Sequence, residues 1–371
     1  MRYRLRYMVC ALSALILASC SFSEEDDCLP KDETGTLIRF SLTMQQSDSR
    51  TTRADDNEWD GNDYDQSHGN EFENRIKASS LRVFVYEANG GAYIGEVSNL
   101  MYWSLGDNTA AGAAADPVEY TFVGEITDLN LSKSGTYRFM VVANCDLDGN
   151  DPTGAETFAI ADVQDADNHY IPMWGVMTTT LQDKQYQDLG QINLLRAAAK
   201  VEVTLADNLV TEGYSISDVK INGYANQGLC FPSGWNSAAN TAEMKHDDCF
   251  NSGTDITTAG PKDFAATAAG KTYVIYLPEY DNTSDAATPA TITLTASNGT
   301  ASKTFENAIQ FCNYENGAAT EGTAHNIVRN HYYRYTISGI SLDQTELEVI
   351  ITINPWNDYE FTYGEVIIDG N

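Results

Sequence analysis

Short runs in which apolar and polar residues alternate, each closed by turn residues, set the class of fold open to this chain. Over residues 199–205, Val201, Val203 and Leu205 alternate with Lys200, Glu202 and Thr204, the period-two pattern of a strand with one wet face. Residues 36–44 repeat it, with Ile38, Phe40, Leu42 and Met44 set against Arg39, Ser41 and Thr43. Further strands are predicted at 81–86, 119–126, 137–143, 214–221, 272–277, 290–296, 332–340 and 347–353. No apolar stripe at helical spacing lasts beyond about three turns, so the class is all-β. Regularly spaced strands across 371 residues predict two β-sandwiches in tandem, with the boundary near Gly190.

Long polar stretches interrupt the strands. Residues 45–74 hold almost no aliphatic side chain and are rich in Asp, Asn, Ser and Gly, so they are predicted to be a mobile loop. Arg50 and Arg53 lie inside it. Similar loops are expected at 106–116, 234–270 and 281–289. The chain closes with 359–369, beyond Asn354-Pro355-Trp356-Asn357. Its apolar residues, Phe361, Tyr363, Val366 and Ile368, do not keep one parity, because the spacing changes across Gly364. A bulge or a strand in two parts is expected there.

The balance of 22 Lys+Arg against 53 Asp+Glu, a net charge of −31, repels phosphate backbones and argues against nucleic-acid binding. Arg2, Arg4 and Arg6 precede an apolar run over 8–18. That run is shorter than the roughly 20 residues a bilayer span requires, and small residues follow it, as in a secretory signal. Leu17-Ala18-Ser19-Cys20 resembles a bacterial lipobox, which implies that the Cys20 thiol is diacylated and becomes the new N-terminus. The acidic run at 21–27 resembles the tag that carries Bacteroidetes lipoproteins to the outer face of the outer membrane. Apart from Cys10 and Cys20, the cysteines are Cys28, Cys145, Cys230, Cys249 and Cys312, with no zinc-type pair. Cys230 and Cys249 flank one loop and are the expected disulfide in an oxidising compartment, with unpaired thiols as the alternative.

Nothing in the sequence asks to be an active site. Asp146-Leu147-Asp148-Gly149-Asn150-Asp151 alternates carboxylates as calcium loops do. It has Asp151 where the sharp turn wants Gly and Thr157 where a bidentate Glu belongs, so a solvated turn is the better reading. His325 and His331 lack a third ligand at metal spacing. Hydrolase, P-loop and dinucleotide motifs are missing, and no metal or cofactor is expected. Trp103, Trp174, Trp235 and Trp356 leave a glycan-binding surface lipoprotein as an alternative, although core packing is the commoner fate of such residues.

Three segments together resemble one family. Leu195-Arg196-Ala197-Ala198-Ala199-Lys200-Val201, Ile327-Val328-Arg329-Asn330-His331-Tyr332-Tyr333-Arg334-Tyr335 and Asn354-Pro355-Trp356 resemble, in order and spacing, the fimbrillins of Bacteroidales type V pili. The resemblance implies two tandem antiparallel, transthyretin-like sandwiches. It also implies a signal peptide at 1–19, a lipidated propeptide at 20–53, an N-terminal domain at 54–190, and a C-terminal domain at 191–371 with a donor extension. It implies an assembly route as well. The precursor reaches the outer membrane as a lipoprotein, and an Arg-specific protease cuts at Arg53 or Arg50. The strand carrying Ile38, Phe40, Leu42 and Met44 then leaves. Phe361, Tyr363, Val366 and Ile368 of another copy, or of another fimbrial subunit, fill the groove. Arg75 is a poorer cleavage site, being close to ordered structure. The expected role is a non-catalytic subunit of a surface fimbria supporting adhesion, with a tip or anchor position as the alternative.

Overall fold

The computed structural model describes residues 36–44, 73, 75–105, 119–147, 149, 152, 154, 156–164, 170–232, 260–282, 289–343, 346–355, 364–365 and 367–369. Cys20, Arg50, Arg53, Cys249, Phe361, Tyr363 and Val366 lie outside them. The first half contributes β1 (Leu37–Met44), β2 (Arg75–Lys77), β3 (Arg82–Glu87), β4 (Tyr93–Glu96) and β5 (Ser98–Leu105). It continues with β6 (Glu119–Glu125), β7 (Thr136–Ala143), β8 (Thr157–Ala159), β9 (Met173–Thr180) and β10 (Tyr186–Arg196). Strand neighbours follow the path β4-β3-β7-β9-β10-β1-β6-β5. β10 changes layer along its length. Residues through Leu194 run parallel to β1, whereas Leu195 and Arg196 pair antiparallel with β9. The two layers therefore close on one core, where Phe40, Phe122 and Ile192 meet Val83, Val85, Phe139 and Val141.

Two glycines make the crossing possible. The register between β1 and β10 slips by one residue between Arg39 and Ser41, opposite Gly190, whose φ is +75°. Only glycine takes that conformation without strain. At Gly175 in β9 an added Cβ would collide with the carbonyl of Asn193 in β10. Gly190, expected from the sequence to mark a domain boundary, thus lies within a strand. The chain leaves the first sandwich only at Ala197.

The second half contributes β11 (Ala199–Leu205), a short helix α1 (Asp207–Thr211), β12 (Ser215–Asn222), β13 (Gln227–Leu229), β14 (Lys262–Asp263), β15 (Ala265–Ala268) and β16 (Thr272–Leu277). β17 (Thr291–Ser297), β18 (Ser302–Gln310), β19 (Cys312–Glu315), β20 (Ala318–Ala324), β21 (His331–Ser341) and β22 (Glu346–Pro355) complete it. One sheet runs β15-β16-β11-β21-β22 and the other β14-β12-β17-β18. Val201, Val203, Ile275 and Tyr335 from the first pack with Ile221, Leu294 and Phe305 from the second. Both sandwiches are mixed rather than purely antiparallel, because β1 runs parallel to β10 and β11 parallel to β21. Two pieces end the chain, β23 (Gly364–Glu365) and β24 (Ile367–Asp369).

A third core joins the halves. The outer faces of β3, β7 and β9 present Phe84, Tyr86, Met140, Val142 and Trp174, which pack in one cluster with Phe158, Phe231, Val274 and Tyr276. β8 pairs with β13 across this seam. Here the disulfide expectation is corrected: Cys230 is bonded to Cys145, with Cα atoms 6.2 Å apart. Nearness in sequence suggested Cys249. The fold instead brings the end of β7 to the segment after β13, within bridging distance. Arg329 holds that segment, donating from Nη1 to the Cys230 carbonyl and from Nη2 to the carbonyls of Leu229 and Phe231. Its charge is met by Glu279 at 2.9 Å.

Candidate functional site

β1 is an inner strand of its layer with partners on both sides. It pairs antiparallel with β6, from Leu37 opposite Glu125 to Ser41 opposite Thr121. On its other side it pairs in parallel with β10, from Leu37 opposite Tyr186 to Met44 opposite Leu194. Its alternating sequence turns one set of side chains inward: Ile38, Phe40 and Leu42 are 0%, 1% and 7% exposed. Phe40 stacks on Phe122 with ring centroids 5.2 Å apart. On the opposite face, Arg39 reaches Asp188 at 3.6 Å, with both side chains partly in water. The upstream end is fastened as well. The Thr36 amide donates to Thr127 Oγ1, the Ile126 amide to the Thr36 carbonyl, and the Leu37 amide to the Gln185 carbonyl.

Burying three such apolar side chains stabilises the strand by about 5–9 kcal/mol in gross terms. Its departure would open an apolar slot flanked by two rows of unpaired backbone N–H and C=O groups, a template for another strand. The segment is also separate: 28 residues (45–72) lie between Met44 and Glu73, the next described residue. Of the four apolar teeth read from the sequence, Ile38, Phe40 and Leu42 line the core, and Met44 lies in β1 opposite Leu194.

The C-terminal tail reaches the same region. β23 pairs antiparallel with the end of β1, Glu365 opposite Thr43 and Gly364 opposite Met44. β24 pairs in parallel with β2, so that Ile368 lies opposite Ile76. The tail thus changes partner between Glu365 and Ile367, next to the break in apolar parity at Gly364. Of the four donor residues expected from the sequence, Ile368 alone is among the described residues.

Other candidates dissolve into structure. Trp174 is buried in the seam between the halves and offers no platform for a sugar. His331 Nδ1 is hydrogen-bonded to the Arg329 carbonyl at 2.8 Å. His325 lies near His331 in a shallow depression, and burial pulls its pKa below the ordinary histidine value. Among the described residues, no three His, Cys, Asp or Glu side chains gather as metal ligands. Sequence reasoning missed Glu73, which sits in a stretch read as loop yet is fully buried. It also missed Asn144, whose φ of +58° marks a sharp turn after β7.

A family model of the fimbrillin-A associated anchor proteins matches residues 49–360. The chain belongs to that family. The fimbrillin resemblance read from the sequence is borne out at this level, and the chain stands among fimbrial proteins of the cell surface. No curated protein matches it. Among solved structures it is similar to the tip fimbrial protein Mfa3 from Porphyromonas gingivalis with a C-terminal truncation. That likeness has 14% identity and a TM-score of 0.51, over 86% of this chain and 99% of the other. It is a likeness of fold. A fimbrial assembly protein from Parabacteroides distasonis (14% identity, TM-score 0.45, 89% and 98% covered) and the anchor protein Mfa2 from Porphyromonas gingivalis (12%, 0.32, 87% and 98%) also align along most of their length.

Proposed function

We propose that this fimbrillin-family chain is a structural subunit of a cell-surface fimbria, assembled by exchange of its first strand. Export as a lipoprotein through Cys20 brings the precursor to the outer membrane. Cleavage by an Arg-specific protease at Arg53 or Arg50 detaches β1 from the body. The tail of another copy, carrying Phe361, Tyr363, Val366 and Ile368, then fills the vacated slot, and the fibre supports adhesion. The domain limits that accompany this reading are a signal peptide at 1–19, a propeptide at 20–53, and a body starting at 54.

One observation carries the proposal. β1 is bonded on both edges and fills the core with three side chains, yet it is the segment most detached in sequence from the sandwich it completes. A strand so placed is costly to lose and simple to replace by another of equal length and pattern. The tail paired with β1 and β2 already lies at that slot. Before donating elsewhere it must leave this seat, which is how a swapped element passes between copies.

The family model favours a second position in the fibre, the anchor. An anchor keeps its lipid and its β1, receives no tail, and resists cutting. Treating the folded precursor with an Arg-specific protease separates the two. The shaft subunit yields rods visible by electron microscopy. A chain that stays monomeric after complete cleavage at Arg53 sinks the exchange reading, and one that resists cleavage is an anchor.

A further inference from the structure

We propose that Glu73 and β2 (Arg75–Lys77) form a stop that confines maturation cleavage to Arg50 and Arg53 and keeps β2 with the body when β1 departs. The inference rests on the processing role given above to residues 45–72. Beyond β1, the arginines met along the chain are Arg50, Arg53 and then Arg75. The first two fit the proposed function. A cut after Arg75 would instead remove Glu73 and leave Ile76 as a new N-terminus.

The segment is locked from three sides. The Glu73 carboxylate accepts from Tyr276 Oη at 2.6 Å and pairs with Lys200 Nζ at 2.8 Å. Its backbone carbonyl accepts from Arg196 Nε at 2.8 Å. Arg196 is wholly buried, and its Nη1 also donates to Asn330 Oδ1. Burial pushes this guanidinium down to about 10, with the charge of Glu73 acting against the shift. Withdrawing Glu73 would strand two buried cations, a costly state. Lys200 lies on β11 and Tyr276 on β16, whereas Arg196 ends β10, so Glu73 is held by both halves, its carboxylate by the second and its backbone carbonyl by the first.

Asn144 supplies the second restraint. Its Nδ2 donates to the Arg75 carbonyl at 2.8 Å and to the Ile171 carbonyl, while its Oδ1 accepts from the Lys77 amide at 3.0 Å. The Arg75 carbonyl is the one a protease must polarise to cut the Arg75–Ile76 bond, and here it is already engaged. The third restraint is Ile76, fully buried in the first core, with β24 along its strand. Proteolysis needs an extended, unhooked segment in the enzyme's cleft, and none of these contacts survives that passage.

The test is cleavage of the folded full chain by an Arg-specific protease, with new N-termini quantified over time. The wild type should yield chains starting at Thr51 or Ala54. A start at Ile76 should appear only with global unfolding, its rate rising with urea as steeply as unfolding itself. Glu73→Ala should raise the rate of the Ile76 product roughly 150- to 5,000-fold and Asn144→Ala at least about tenfold. If both variants fold and leave that rate unchanged, the stop is refuted. It is equally refuted if the wild type releases Ile76 as fast as Ala54, or with a shallow urea dependence. The wild-type arm decides the matter even if the variants do not fold. Resistance of Arg50 and Arg53 would overturn the processing role instead, and the Ile76 kinetics would still judge the stop.

Discussion

Phe40→Ala should weaken the hold of β1 on the body far more than any change on the strand's wet face. Phe40 is essentially buried and stacks on Phe122. Truncating such a ring costs about 3–5 kcal/mol, part of it the cavity left behind. In the intact precursor this is a loss of stability. Once the chain is cut at Arg53, β1 is held without a covalent link, and the same cost becomes a loss of affinity, roughly 150- to 5,000-fold. The assay is the rate at which the cleaved β1 fragment separates from the body, followed by size-exclusion chromatography and mass spectrometry, with rod formation followed by light scattering. Faster separation and faster assembly are expected. Arg39→Ala is the control. Its ion pair with Asp188 is largely solvated, worth about 0–1 kcal/mol, so strand release should change less than about fivefold. Equal effects of the two substitutions, or no effect of Phe40→Ala, would refute the view of β1 as a plug held by its apolar face.

Other expectations follow from the same geometry. Arg53→Ala should slow protease-driven assembly, and an unchanged rod yield from the Arg50/Arg53 double alanine variant would count against the loop assignment. Deleting residues 359–371 removes the short β23 and β24 pairings and should leave a folded, non-polymerising subunit; normal rods from it would remove the donor role of the tail. Cys145→Ser with Cys230→Ser opens a loop spanning a sequence separation of 85. It should lower unfolding free energy by about 4–5 kcal/mol on the chain-entropy account. Reductant should likewise lower the melting temperature of the wild type and leave the double variant unmoved. A wild type indifferent to reductant would mean the bond does not staple the halves.

Legibility in the sequence tracked the strength of each strand's apolar pattern. β1 was read almost to the residue because Ile38, Phe40 and Leu42 are buried and alternate with half-exposed Arg39 and Ser41. β11 alternates in sequence although Lys200 and Thr204 on its polar face are buried too. β16 was legible as a short apolar run buried on both faces, with Ile275 and Leu277 in the sandwich core and Val274 and Tyr276 in the seam. β15 and β20 are Ala, Thr, Gly and Glu with no buried side chain, so no apolar period exists to find. β18 carries its two buried anchors, Phe305 and Ile309, four residues apart at a register shift, with the exposed Asn307 at the in-phase position between them, so the alternation has no run to find. The seam between the halves was invisible for another reason. Its members include the outer faces of β3, β7 and β9, which look surplus to a single sandwich whose core takes only the inner faces. The disulfide misled because loop length is readable from sequence while the approach of β7 to β13 is not. Glu73 was lost in an acidic run, where a lone buried carboxylate carries no mark. The Arg196 and Lys200 that neutralise it, by contrast, stand in a segment that drew notice for its family likeness.

The most direct test of strand replacement is the mass and N-terminal sequence of subunits taken from purified fibres. Subunits that begin at Thr51 or Ala54 and lack β1, each bound to the tail of a neighbour, are the predicted result. Fibres built from chains that still carry Cys20 through Met44 in place would contradict it.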